Sequence, residues 1–191
     1  MSNYLKCERI DDAFIVRFTQ PEIRNPLSRE VVERLHEIVD SIDNGATKVI
    51  FTGSGDAFAS GANLNEIAAL SSDDAPEFAR LGQSLMNKVA SLPQKTIAAI
   101  NGHCFGGALD LALSCDMRIA SPNARFAHPG AGLGIITGWS GTQRLPRLIG
   151  NANANEMFFT ASPIDAERAL HIGLIDEIAD EVLKSALKTV R

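Results

Sequence analysis

The chain has little that would tie it to a membrane, a disulfide framework or a polyanion. Its 191 residues hold three cysteines, Cys7, Cys104 and Cys115. An odd count without paired spacing reads as free thiols in a reducing compartment. The opening Met1-Ser2-Asn3-Tyr4-Leu5-Lys6 has no apolar signal core. The apolar run around Ile97 is interrupted at Asn101 and His103, so it is too short to span a bilayer. There is no basic block: 18 Lys and Arg stand against 23 Asp and Glu, a net charge of −5. That disfavours nucleic acid or an anionic membrane as the main partner. Any phosphate on a ligand has to be met by a few local basic groups. Linkers, low-complexity stretches and fixed-period repeats are missing too. His103, Asp110 and His128 match no metal-ligand spacing, so no metal is expected. Gly130-x-Gly132-x-Gly134 lacks the spacing and the following acid of a dinucleotide loop. The expectation is a cytoplasmic protein that carries no cofactor of its own.

What remains is an ordinary globular composition, 45% hydrophobic and 21% charged, in a length that fits one domain over 1–191. Short strands are predicted at 6–11 and 13–18, split by Asp11-Asp12. Ser28 reads as an N-cap, and Val31, Leu35, Ile38, Val39 and Ile42 follow at helical spacing, which predicts a helix over 29–42. Residues 48–52 read as a buried strand, 53–63 as a glycine-rich loop and 64–69 as a short helix. Asp74 with Glu77 opens the next helix, which Pro93 ends. A strand at 96–100 feeds a helix at about 106–114. Strands at 117–120 and 124–126, helices at 139–148 and 152–160, a helix from Asp165 to before Gly173, and a strand at 175–178 complete the pattern. Another helix begins near Val182. The class is α/β.

The most informative stretch runs from Asn101 to Asp116, through Gly106-Gly107-Ala108-Leu109-Asp110. Adjacent glycines follow an apolar strand and open an apolar helix. Bare N–H groups at such an N-terminus favour negative charge and can hold an oxyanion. Close backbone packing explains glycine there equally well. Asp110 lies roughly one helical turn further on. A second small-residue turn, Ala57-Phe58-Ala59-Ser60-Gly61-Ala62-Asn63-Leu64, precedes this stretch. Gly138-Trp139-Ser140-Gly141-Thr142-Gln143-Arg144-Leu145 follows it, just past Phe126-Ala127-His128-Pro129. In this order and spacing the three stretches resemble the crotonase superfamily, the enoyl-CoA hydratase/isomerase family, over residues 4 to about 181.

The resemblance implies a crotonase-like spiral of ββα units, assembled as trimers or dimers of trimers. It implies that C-terminal helices of the family are missing after Arg191, which would weaken a homo-oligomer and expose apolar surface. It implies an acyl-CoA thioester as partner and stabilisation of its enolate by two backbone N–H groups, here those of Ala62 and Gly107. Coenzyme A belongs to the substrate. Asp110 falls where family hydratases carry a glutamate and is expected either to move a proton or to be a buried carboxylate bonded to backbone. Gly130 falls where they carry the second glutamate, so the hydratase pair is incomplete. Thr137 stands where one glycine-bearing branch has an aspartate. His128 is a candidate substitute base or a hydrogen-bonded structural histidine, and His103 a turn or core residue. Arg24 is expected near the CoA phosphates, with Ser60, Gly61, Ala62, Asn63 and Leu64 near the adenine. Gly106 and Gly130 are expected beside the acyl group. Cys104 and Cys115 read as buried hydrophobes. The leading expectation is proton transfer or hydration on an enoyl-CoA. Decarboxylation, thioester hydrolysis or plain acyl-CoA binding are the alternatives.

Overall fold

A computed structural model describes residues 4–189. Strands β1 (Leu5–Ile10) and β2 (Ala13–Phe18) form a hairpin whose turn is made by Asp11, at φ 52°, and Asp12. A 3-10 turn at Pro21–Ile23 and the short β3 (Pro26–Leu27) lead into α1 (Arg29–Asp40). The Ser28 hydroxyl accepts a hydrogen bond from the Val31 N–H at 3.3 Å, as the N-cap reading requires. The helix stops two residues before Ile42, where the Ser41 N–H returns to Glu37 and Ile38.

From there the chain winds in successive turns of strands followed by helix, the first carrying an extra strand and an extra helix. The first holds β4 (Lys48–Thr52), β5 (Ala57–Ala59), β6 (Gly61–Ala62), α2 (Leu64–Ala69) and α3 (Ala75–Ala90). The second holds β7 (Lys95–Ile100), β8 (His103–Phe105) and α4 (Gly107–Ser114). The third holds β9 (Met117–Ala120), β10 (Arg125–Ala127), a 3-10 turn at Pro129–Leu133 and α5 (Gly141–Thr160). Strand β11 (Ile164–Asp165), α6 (Ala166–His171), β12 (Glu177–Ile178) and α7 (Val182–Lys188) follow.

Each turn gives its first strand to a six-stranded sheet, order β1-β2-β4-β7-β9-β12, and its second to a four-stranded sheet, order β11-β10-β8-β5. Pairing is parallel except in the β1–β2 and β10–β11 pairs. The inner strands β2, β4, β7 and β9 are covered on both faces, so they are nearly continuous apolar runs, whereas the edge strand β1 is largely exposed. Val16, Phe18, Val49, Phe51, Ala98 and Ile100 face the main core with α1, α3 and α4. The alternate residues Ala13, Ile15, Ile50, Ile97 and Ala99 face Val182 and Ala186 of α7. Among the described residues no helix is long and apolar enough to cross a membrane.

Several expectations are corrected. The predicted loop over 53–63 contains β5 and β6, and His103 lies in a strand rather than a turn. These strands of two or three residues carry no alternation of their own, and their partners supply the order. The strand expected at 175–178 is only Glu177–Ile178, because the Leu174 and Ile175 N–H groups turn back to Ala169 O at the end of α6. Asp74 does not cap α3 with its side chain; its carboxylate accepts from the Ser71 hydroxyl at 2.6 Å. The helices expected at 139–148 and 152–160 form one element from Gly141, broken at Gly150, φ 80° and ψ 156°.

Candidate functional site

Two backbone amides come together where the first and second turns of the coil meet. Gly61 sits at φ 93°, a conformation that favours glycine. A Cβ there would also lie 2.6 Å from Phe105 O and 3.1 Å from Gly107 N. A Cβ on Gly107 would lie 3.5 Å from Ala62 N. The Ala62 and Gly107 amides are therefore neighbours, with a glycine at each point of contact. Gly106, at φ 52°, turns the chain from β8 into α4 and donates to Ala127 O at 2.9 Å. The first bond of α4 runs from Asp110 N to Gly106 O, so the Gly107 N–H has no acceptor within the helix.

These amides lie on the wall of a cavity of about 250 Å3. Ser60, Gly61, Ala62 and Leu64 line one side, Gly106, Gly107 and Asp110 another, and His128 and Gly130 a third. The remainder is mostly apolar, with Ile67, Phe78, Leu133, Ile135, Ile136 and Trp139. Trp139 is the chain's one tryptophan. Its ring lies against Gly107, where a Cβ would stand 2.5 Å from Cε3, and a Cβ on Gly82 of α3 would fall inside the indole. Two sequence-predicted residues do not line the cavity. Arg24, left-handed at φ 58°, is exposed and pairs with Asp56 at 3.0 Å. Asn63 caps α2, accepting from Asn65 N at 3.0 Å.

Asp110 points from the first turn of α4 and is fully buried. One carboxylate oxygen accepts from the Thr137 hydroxyl. The other, Oδ1, lies 3.5 Å from His128 Nε2. A Cβ on Gly141 would collide with Oδ1 and lie 3.0 Å from His128 Cε1, so the glycine of Gly141-Thr142-Gln143 makes room for the pair. Burial pushes the Asp110 carboxyl up to about 7, against the Thr137 hydroxyl, the Gly141 and Trp139 amides and the Arg144 charge, which favour the anion. Burial pushes the His128 imidazole down to about 4. Burial thus favours the uncharged form of each group. Among the described residues Asp110 Oδ1 and both His128 ring nitrogens make no hydrogen bond.

Gly130 carries a second surprise. Its φ is not in the left-handed region, yet a Cβ would lie 2.5 Å from Ile135 O, and Ile135 N donates to Gly130 O at 3.0 Å. The 129–137 loop folds over this position, so glycine there serves the backbone path. His103 lies outside the cavity, 3.9 Å from Asp56. Cys104 and Cys115 are buried, and burial raises both thiols, Cys115 to about 12.

Sequence reasoning named Thr137 but not its contact with Asp110, which it faces across a loop that has no period to read, and it missed two asparagines that hold the site. Asn25 is buried, and its Nδ2 donates to Ser54 O at 3.0 Å and Ala57 O at 2.9 Å. Asn101 Oδ1 accepts from Gly53 N at 2.9 Å, and its Nδ2 donates to Ala57 O at 3.1 Å. The segment leading to Ala62 is thus pinned from two sides. The one available signal was Asn next to Pro26 and next to Gly102, which reads equally well as a turn.

A cavity that pairs two amides with one buried carboxyl can hold a carbonyl oxygen as it gains charge and move a proton beside it. Comparison with known proteins gives the family. The family model described as enoyl-CoA hydratase/isomerase matches residues 11–191. The short-chain-enoyl-CoA hydratase of Clostridium acetobutylicum is 36% identical over 181 residues, 93% of this chain and 69% of that protein. The crotonyl-CoA hydratase of Syntrophomonas wolfei is 36% identical over 186 residues, 95% of this chain and 72% of that protein. The crystal structure of the enoyl-CoA hydratase from Bacillus anthracis superposes with a TM-score of 0.92 at 33% identity, covering 97% of this chain and 74% of that one.

Proposed function

The chain belongs to the enoyl-CoA hydratase/isomerase family, and from that premise we propose that it moves a proton on an acyl-CoA thioester through an enolate held by the Ala62 and Gly107 amides. One observation carries the reading: the two neighbouring amides share a cavity with a single buried carboxyl, Asp110.

The thioester oxygen takes the place in front of the two N–H groups. Asp110, ionised, removes a proton from the carbon chain beside the carbonyl. The C–H electron pair moves into the enolate, and negative charge grows on the oxygen where the amides meet it. One such donor is worth about 10²–10³-fold in rate. Protonated Asp110 then returns a proton to the chain, at the same carbon or at the far end of the allylic system. A carboxyl balanced near pH 7 serves as base and as acid in one cycle. His128, held neutral, does not compete for the first step.

Gly130 favours double-bond migration over hydration. Adding water across the double bond needs a second group to orient and deprotonate the water, and Gly130 brings no side chain. Arg24 is the basic group offered to the CoA phosphates, exchanging Asp56 for phosphate. The exposed Leu133, Ile136 and Phe159 support self-association.

The test uses the protein with butyryl-CoA in D2O, 3-hexenoyl-CoA and crotonyl-CoA. Expected are α-deuteration of butyryl-CoA and conversion of 3-hexenoyl-CoA, with crotonyl-CoA hydration slower than either. Acyl-CoA should bind more tightly than CoA by calorimetry, since only the thioester supplies the oxygen. Hydration at a typical turnover of about 1–10³ s⁻¹ with no α-deuteration would overturn the reading.

A further inference from the structure

The indole of Trp139 bridges two helices on the wall of the cavity that the amide pair shares. Its five-membered side lies on α3: a Cβ on Gly82 would fall 2.1 Å from Cδ1 and 2.3 Å from Nε1. Its six-membered side lies on α4: a Cβ on Gly107 would fall 2.5 Å from Cε3 and 2.6 Å from Cζ3. The ring therefore spans the gap between the helices, with a glycine under each end. Glycine inside a helix is unfavourable, and Gly82 stands near the middle of α3. Room for the indole accounts for it.

The ring is held in that place. Nε1 donates to Phe78 O at 3.3 Å, and the Phe78 ring lies against it with centroids 5.3 Å apart. Phe78 is one helical turn before Gly82 and lines the same cavity. The two rings close the cavity on the side where α3 faces α4. The indole also stands directly beside Gly107, whose amide is one of the two proposed donors. A chain that starts from a carbonyl at those amides meets the ring at once.

We propose that Trp139 limits the protein to short acyl chains by closing the gap between α3 and α4 to the substrate's tail, an inference that rests on the acyl group of the proposed substrate lying in this cavity and not on the proton transfer. With the gap closed, the chain is confined to the remaining apolar space. At roughly 30 Å3 per water-sized group, a cavity of about 250 Å3 holds about eight of them. The oxygen, the sulfur and the carbons of a hexanoyl thioester come to about that number. A longer tail has no place to go. Replacing the indole by a methyl group joins the space it leaves, between Gly82 and Gly107, to the cavity.

Calorimetry with hexanoyl-CoA and decanoyl-CoA on unmodified protein, Trp139→Phe and Trp139→Ala tests this. One methylene that fits or is refused is worth about 10–200-fold. Unmodified protein should therefore bind hexanoyl-CoA at least about tenfold more tightly than decanoyl-CoA. In Trp139→Ala that ratio should move toward decanoyl-CoA by at least about tenfold, with Trp139→Phe between the two. A merely structural ring would weaken both ligands alike, because the ratio is taken on one protein and a lost folded fraction cancels. Should Trp139→Ala fail to fold, Trp139→Phe and the unmodified protein still decide. Trp139 is the chain's one tryptophan, so emission of the unmodified protein should change saturably with hexanoyl-CoA and not with CoA. Equal affinity of unmodified protein for the two chains, an unmoved ratio in the folded variants, or unchanged emission would each overturn the role of Trp139. A chain-length limit that moves with the ring, without α-deuteration of butyryl-CoA, would support Trp139 and overturn the proton transfer.

Discussion

The Asp110–His128 pair makes a prediction about stability that each residue alone would reverse. In the unfolded chain Asp110 titrates near the ordinary 3.8 and His128 near 6.5. In the folded protein they titrate at about 7 and about 4. Between about pH 4 and about pH 6.5 the folded pair holds one proton, on the carboxyl. The unfolded pair also holds one, on the imidazole. Folding then takes up no proton at this site, and the pair adds no pH slope. Asp110, raised, stabilises below its unfolded value, and the effect is lost as pH rises toward about 7. His128, depressed, stabilises above 6.5, and that is lost as pH falls toward about 4. The two slopes have equal size, about 1.4 kcal/mol per pH unit, and opposite sign.

His128→Gln leaves Asp110 uncompensated. Stability relative to unmodified protein should fall by about 3 kcal/mol from about pH 4.5 to about pH 6.5. Asp110→Asn leaves His128, and stability should rise by about the same amount over the same window. The double variant should be flat again. Whole-domain stabilities are about 5–15 kcal/mol, so the shifts are a sizeable fraction of the total. Urea unfolding midpoints measured across that range read them directly. Every other titrating group is common to the four proteins, so differences isolate the pair. If both single variants run parallel to the unmodified protein, the carboxyl is ionised and the ring accessible, and the reasoning on burial is wrong.

The same carboxyl should set the pH dependence of activity: kcat/KM for proton abstraction should rise as pH passes up through about 7, since the base must be ionised, and Asp110→Asn should lose about 10²–10⁴-fold. Thr137→Val removes a hydroxyl that favours the anion, so the rise should move to higher pH in a pH–rate profile. Gly130→Glu should not create a hydratase, because its Cβ meets Ile135 O at 2.5 Å; the expected result in chemical denaturation is a loss of about 1–3 kcal/mol from overpacking, with crotonyl-CoA hydration unchanged. Gly82→Ala gains up to about 1 kcal/mol in helix propensity but drives a methyl into Trp139, so the variant should be less stable and its tryptophan emission should shift.

Much of this architecture was legible in the sequence because burial leaves periodic marks. The Val31–Val39 stripe, the Ser28 and Asp165 caps and the apolar runs of β4 and β7 were each read from local pattern. Glycines marked the amide pair, since Gly61 and Gly106 sit at positive φ and Gly61 lies hard against the backbone of Phe105 and Gly107. The strands of two or three residues were not legible, because their order comes from partners far away in the chain. Nor was the meeting of Asp110, Thr137 and His128, which are brought together by a loop without periodicity. Gly130 was singled out where the family resemblance expects an acid, but that it is a crossing point of backbone was not legible. That takes knowledge of where Ile135 goes.

The Ala57 carbonyl receives two amide side chains, from Asn25 at 2.9 Å and Asn101 at 3.1 Å. They arrive from different turns of the coil, and five residues further on stands Ala62. The donor's place is therefore settled when the protein folds, not when a ligand arrives. In the proposed reaction an acyl-CoA would meet an amide that has already lost its freedom, and the ordering entropy would not reappear in the binding or the barrier. Loosening either asparagine should leave the fold recognisable and the cavity lined as before. What it would take away is fixity, felt as a more unfavourable activation entropy in the step where the enolate forms.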